Sequence, residues 1–196
     1  MNSYIDIFHN QYDTVGKNGI ARLMQQLGLK ANLDMSYGEE SHADEENTKR
    51  TLKNFGYSQW GTHKGYDLTA IANDIKLGYP VLLSGYSHKK TEYFGGIKVG
   101  VKYSHGHEWL VHGLLERTRI TSYYNDLGVL ASTKIECHTY LLCNWGWDGF
   151  KNGYYYSGAF NTNGGPSYPD SEPSTRSSDT LKYYQHKLTI FTGIRK

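Results

Sequence analysis

The apolar period of this chain changes at Pro80, and that change does most to limit how it can fold. Upstream, apolar residues recur at helical spacing. Ile20, Leu23, Met24 and Leu27 fall at i, i+3, i+4 and i+7, and Leu68, Ile71, Ala72 and Ile75 repeat the pattern. Asp13 or Thr14 can cap the first of these helices, and Gly28 stands where a left-handed C-terminal residue belongs. A second helix is expected from about Ala43 to Phe55, ending at Gly56, and the third stops at Gly78. Pro80 then pushes Tyr79 out of the helical region. Downstream the spacing predicts strands at Val81–Tyr86, Trp109–Leu115, Arg117–Tyr123, His138–Asn144, Gly153–Ser157 and Lys187–Ile194, separated by Gly, Asn and Asp turns. Helices followed by a twisted antiparallel meander define an α+β chain. Asn161–Asp179 holds three of the four prolines and reads as a long mobile loop.

Composition removes several functions. Twenty-one basic side chains against 19 acidic ones leave a net charge of +2, which is no footprint for nucleic acid. Two cysteines make neither a disulfide scaffold nor a four-thiolate zinc site. No apolar run approaches the roughly 20 residues of a membrane helix. Mean hydropathy is −0.64, yet aromatic residues make up 14%, with 18 tyrosines, so the core leans on tyrosine. The 196 residues suffice for one core, in one lobe or two. Met1–Asn10 lacks the basic, apolar and small-residue parts of a secretory signal, which leaves a cytoplasmic chain, a mature piece or a chain lacking its true N-terminus.

Two segments can carry chemistry. SHGHEWLVHG holds His105, His107 and His112. His105 and His107 share a face if extended, so a metal reading takes both, with Glu108 or His112 as third ligand. The bland reading is a polar strand end with one ordered histidine. CNWGWDGF begins at Cys143, and its bland reading is a strand end turning on glycines, with Trp145 and Trp147 capping the core. Taken together, Gly106-His107 starts one strand, and Asn144, ahead of Trp-Gly, ends another. A thiol protease needs that ordering in its sheet: an imidazole to move the thiol proton, an asparagine to orient it, and an indole to shield the pair from water.

These segments resemble the streptopain family of bacterial papain-like cysteine peptidases. VGKNGIARLMQQLGLKANLDMSYG (15–38) resembles the family helix leading into DMDYG, and TLKNFGY (51–57) its ENFGY segment. IKLGYPVLLSGY (75–86) is similar to the helix and strand around QPVYY. GHEWLVHG (106–113) resembles GHAWVIDG, LLCNWGWDGFKNGYYYSGAFNTN (141–163) resembles VNWGWGG with NGYF, and FTGIRK resembles the closing strand. Glu108 stands in place of the family's alanine, and His112 in place of its aspartate.

The resemblance implies a papain-like fold, with residues 1–78 as the remnant of an incomplete helical lobe and residues 79–196 as the sheet lobe. It makes His107 the catalytic histidine and Asn144 its orienting partner, with Trp145, Trp147 and Gly106 as support. Loop 161–179 would gate the substrate. It also implies protein or peptide substrates, no cofactor, no membrane span, and an extracellular or cell-envelope location.

The family's nucleophile segment, similar to TGCVATA at a helix start, has no counterpart here. Cys143 adjoins Asn144 and Cys137 lies seven residues before it, so both have the opposite strand parity, and neither begins a helix. Two expectations follow: a truncated peptidase piece that is inactive alone and completed by a missing N-terminal segment or pro-region, or a pseudoprotease that binds peptides or regulates a protease. In a papain-like plan the cysteine helix lies between the lobes, so its loss exposes apolar surface. Sedimentation of the isolated chain should therefore show association or weak cooperativity on unfolding; a stable monomer would contradict the expectation.

Overall fold

The structure, a computed structural model, describes residues 14–35, 45–147, 149–169 and 182–196. It divides into two compact units, Met1–Gly61 with Arg195–Lys196, and Thr62–Ile194. In the first, α1 (Thr14–Gly28) and α2 (Glu45–Asn54) form where the helical period lies. The Arg50 guanidinium of α2 donates to the carbonyls of Lys30, Ala31 and Asn32, satisfying backbone acceptors just past the end of α1. The expected cap at Asp13 and the start of the second helix at Ala43 lie outside the described residues.

The second unit holds α3 (Leu68–Lys76), β2 (Val81–Phe94), β3 (Ile97–Tyr124), β4 (Leu130–Asn144), β5 (Gly153–Tyr156), β6 (Phe160–Asn161), β7 (Tyr168–Pro169) and β8 (Tyr183–Tyr184). β1 (Gln59–Gly65) and β9 (His186–Arg195) extend across the boundary between the units. Asp67 caps α3 by accepting from the Ala70 N–H, and Gly78 leaves it at φ 82°. Among the described residues one sheet runs β1-β9-β2-β3-β4-β5-β7, and β6 pairs with β8 separately. β2 through β5 form the expected antiparallel meander. The architecture is mixed α and β, with a mostly antiparallel sheet and few helices.

Strand alternation sorts the sheet into two faces. Val81 pairs with Val111, Leu83 with Trp109, and Val111 with Cys143, all buried on the core face beside Leu141, Tyr155, Phe160 and Ile190. Asp74 on α3 is 6% exposed; its carboxylate accepts from the Gly193 N–H at 2.8 Å and from the Thr192 hydroxyl, tying α3 to β9.

Three expectations need correction. Trp109–Leu115 and Arg117–Tyr123 are not separate strands, because Glu116 pairs with Thr139 and the ladder runs through it as one 28-residue β3. β2 continues past Tyr86 to Phe94 and pairs with the first part of β3 as a hairpin arm turning on Gly95-Gly96, φ 55° and 81°, a two-residue turn that glycine makes cheap. The arm sees water on both faces, so it carries no apolar alternation to read. The expected loop from Asn161 is structured at its start: Thr162 is fully buried and Tyr168 pairs with Tyr154; residues 170–181 lie outside the described residues.

Replacing Asp74 with Ala should leave the Thr192 hydroxyl and Gly193 N–H unpaired in a buried setting and cost about 2–4 kcal/mol of stability. Urea unfolding monitored by tryptophan fluorescence measures it.

Candidate active site

His107 lies on β3 two residues before Trp109, on the core face, directly opposite Gly85 of β2. Its ring is half-buried among four aromatics from three stretches of chain. Centroid separations are 4.9 Å to Trp147, 5.7 Å to Tyr184, 6.0 Å to Trp145 and 6.4 Å to Trp109. Alternation alone brings Trp109 under the ring. Trp145 and Trp147 arrive from the turn after β4, and Tyr184 from β8.

Among the described residues the ring makes one polar contact, and it fixes the ring's chemistry. Nε2 lies 3.0 Å from the Trp145 carbonyl oxygen. A carbonyl only accepts, so Nε2 carries the hydrogen and the neutral ring keeps Nδ1 as its basic nitrogen. Burial lowers the imidazole pKa below its usual 6.5, and the carbonyl bond raises it in part.

The turn that aims this carbonyl is built by two asparagines and a glycine. Asn144 Oδ1 accepts from the Gly146 N–H at 3.0 Å, an Asx turn. Gly146 takes φ 72°, which a side chain would resist. Asn152 Oδ1 accepts from the Trp145 N–H at 3.0 Å. The Trp145 peptide is thus held from both sides, with its carbonyl toward His107.

Of the expected site residues, His107, Trp145 and Trp147 come together. The Asn144 amide does not reach the ring. Asn144 pairs directly with Leu110, so its side chain shares the face of Leu110 and Glu108, opposite to His107. There it lines an open groove of about 410 Å³ with Ile75, Tyr79, Pro80, Leu110 and His112. The expected direct amide-to-imidazole bond is therefore corrected: Asn144 acts on His107 through the Trp145 backbone. Gly106 lies on the face opposite His107, and a Cβ there would meet the Tyr86 ring at 2.9 Å. His105 before it sits at φ 55°, an uncommon conformation for a residue with a side chain.

The metal reading of His107 with Glu108 or His112 fails on strand parity, because both partners lie on the other face. Among the described residues no three potential ligands converge. Cys143, in contrast, is on the His107 face, reversing the expectation that parity removes it. It is excluded differently: it is fully buried two rows away, below Val111, its thiol donates to the Leu141 carbonyl, and burial pushes its pKa far up. Cys137 pairs with Thr118, eleven residues along β3 from His107, or about 36 Å at strand rise.

Trp109 and Tyr184 are site residues that sequence reasoning missed. Trp109 was legible as the next same-face position after His107. Tyr184, whose hydroxyl is raised to about 12 by burial, joins by a long-range pairing with no local signal.

With that geometry in place, a sequence model of the peptidase C10 family matches residues 2–155. The chain belongs to the peptidase C10 family, that of streptopain. This bears out the resemblance seen in the motifs. The matched stretch contains His107, Asn144, Trp145 and Trp147 and stops before β6. A search of curated proteins found no match. The family's activity is that of cysteine peptidases.

Because the folded state favours neutral His107, its contribution to stability is full above about pH 6.5 and declines as pH falls through the lower folded value. NMR titration should place His107 below 6.5, and Trp147→Ala, by admitting water, should move it back up. A value at or above 6.5 in the unaltered chain would contradict the desolvated site.

Proposed function

We propose that the chain is the histidine-bearing portion of a streptopain-like cysteine endopeptidase that cleaves protein substrates. One observation carries the reading: His107 gives Nε2–H to a fixed backbone carbonyl, inside an aromatic enclosure, and keeps Nδ1 for proton transfer. In this role Nδ1 takes the proton of a thiol, and the thiolate attacks the scissile carbonyl to form an acyl-enzyme. The imidazolium returns the proton to the leaving amine, and water then releases the acyl group.

The thiol of this reading comes from polypeptide other than these 196 residues, because Cys143 is sealed in the core and Cys137 is remote along β3. Alone, the chain is inactive. An extracellular or cell-envelope location accords with the family, and no described helix is long and apolar enough to cross a membrane. The gating role expected of loop 161–179 stays part of this proposal; its residues 170–179 lie outside the described residues.

A second reading rests on the same placement of the cysteines: a pseudoprotease that binds peptides without cutting them, or regulates a protease. The experiment assays the chain, and the full reading frame that encodes it, on a protein substrate with and without iodoacetamide. Thiol-dependent hydrolysis by the full frame, lowered about a thousandfold by His107→Ala and unaffected by Cys143→Ser, supports the peptidase. Stoichiometric peptide binding with no thiol-dependent turnover supports the pseudoprotease. Turnover abolished by Cys143→Ser or Cys137→Ser would overturn the placement of the thiol.

A further inference from the structure

The β2–β3 hairpin beyond Tyr86 takes no part in the site or the core. No residue from 87 to 106 is buried. From Ser87 to Phe94 the arm is about 23 Å long at strand rise. Its charge is one-sided: between His88 and Ser104 stand Lys89, Lys90, Lys98 and Lys102, against Glu92 alone. That excess is larger than the +2 of the whole chain. None of the four lysines has an ion-pair partner among the described residues. Lys90 and Lys102 stand directly opposite each other across the strands, an arrangement that costs stability unless an anion relieves it.

The tip has a different character. Phe94 is 80% exposed and Ile97 72% exposed, and the two pair across the Gly95-Gly96 turn, so they project together. Tyr93 lies behind them opposite Lys98, and Val99 is the extra residue of the adjoining bulge; both are more than half exposed.

Lysines alone have an ordinary explanation, since they guard exposed strands against pairing with other chains. That explanation fails at the tip, where a guarded edge would not present Phe and Ile to water. A second copy meeting this tip would set four lysines against four more. A soluble polyanion would satisfy the lysines and leave Phe94 and Ile97 in water. One kind of surface accepts both parts: fixed negative charge at the height of the lysines, with an apolar layer just beneath.

We propose that the β2–β3 arm docks on an anionic lipid surface, its lysines meeting the headgroup phosphates and carboxylates while Phe94, Ile97, Tyr93 and Val99 enter the headgroup–acyl boundary. The contact is peripheral and made by the hairpin tip. It does not depend on the peptidase reading, since no residue of the arm touches His107 chemistry.

The test is cosedimentation of the full chain with vesicles of phosphatidylcholine, with and without phosphatidylserine. The chain should bind the phosphatidylserine vesicles, and salt should weaken binding. Lys90→Glu with Lys102→Glu should weaken it by about tenfold or more. Phe94→Ser with Ile97→Ser should weaken it comparably, with far-ultraviolet circular dichroism unchanged because both side chains are exposed. A Phe94→Trp variant should shift its emission to shorter wavelength only with phosphatidylserine. No binding to phosphatidylserine vesicles, equal binding to phosphatidylcholine alone, or unaltered binding by either double variant would overturn the proposal. Heparin binding that survives Phe94→Ser/Ile97→Ser, without vesicle binding, would assign the lysines to a soluble polyanion instead.

Discussion

The 3.0 Å bond from His107 Nε2 to the Trp145 carbonyl joins a side chain to a backbone, and the site depends on it. An imidazole oriented by a side-chain amide can be reset by one substitution. Orientation by a carbonyl is reset only by moving the peptide. Here the peptide is held by the Asx turn of Asn144, by the positive φ of Gly146 and by Asn152 on the Trp145 N–H. Among the described residues none of these three hydrogen-bonds to the ring, yet each helps set the tautomer that leaves Nδ1 available. The NWG sequence is thus a device for pointing a carbonyl, and its tryptophan supplies the carbonyl and part of the enclosure at once.

The enclosure sets the direction of the electrostatics. Desolvation by four aromatic neighbours favours the neutral ring, and the carbonyl bond only partly offsets it. An anion beside Nδ1 would reverse the sign, because opposite charge favours the imidazolium. A thiolate and this histidine would therefore stabilise each other's charged forms in surroundings where neither ionises well alone. The same burial acts on Cys143 without any cation beside it and holds that thiol protonated. One core face thus holds a histidine whose Nδ1 stays basic and a cysteine whose thiol stays protonated, four residues of strand apart.

Much of this was legible in the chain. Helical spacing placed α1 and α3, α2 falls within the span expected from about Ala43 to Phe55, and glycines marked where α2 and α3 end. His107 and the two tryptophans were found by motif, and they lie within the stretch that the family model matches. What failed in assigning faces had one cause: parity can be read along a strand, but the pairing between strands cannot be read from either one. The local sequence says that Cys143 and Asn144 face opposite ways. Only the register of Val111 with Cys143 says which of them shares a face with His107. The carbonyl of Trp145 leaves no trace in any side chain, and Tyr184 is brought in by chain that has no local relation to β3.

β3 shows how far one strand can depart from a single pattern. Around Trp109 and Val111, alternate residues are buried, and the apolar period of two is plain. Toward Gly100 and again beyond Arg117 the strand is solvated on both faces, and the period vanishes because no face is selected by a core. At its first residue, Ile97, the strand is apolar again and exposed. Stability does not account for that last feature, since removing an exposed side chain away from caps and strained backbone usually changes stability by no more than about 0.5 kcal/mol. The core face of β3 is accounted for by packing and its solvated stretch by water. The apolar tip at Ile97 is accounted for by neither, and the same holds for the exposed Ile120, Tyr123 and Tyr124 at the strand's other end.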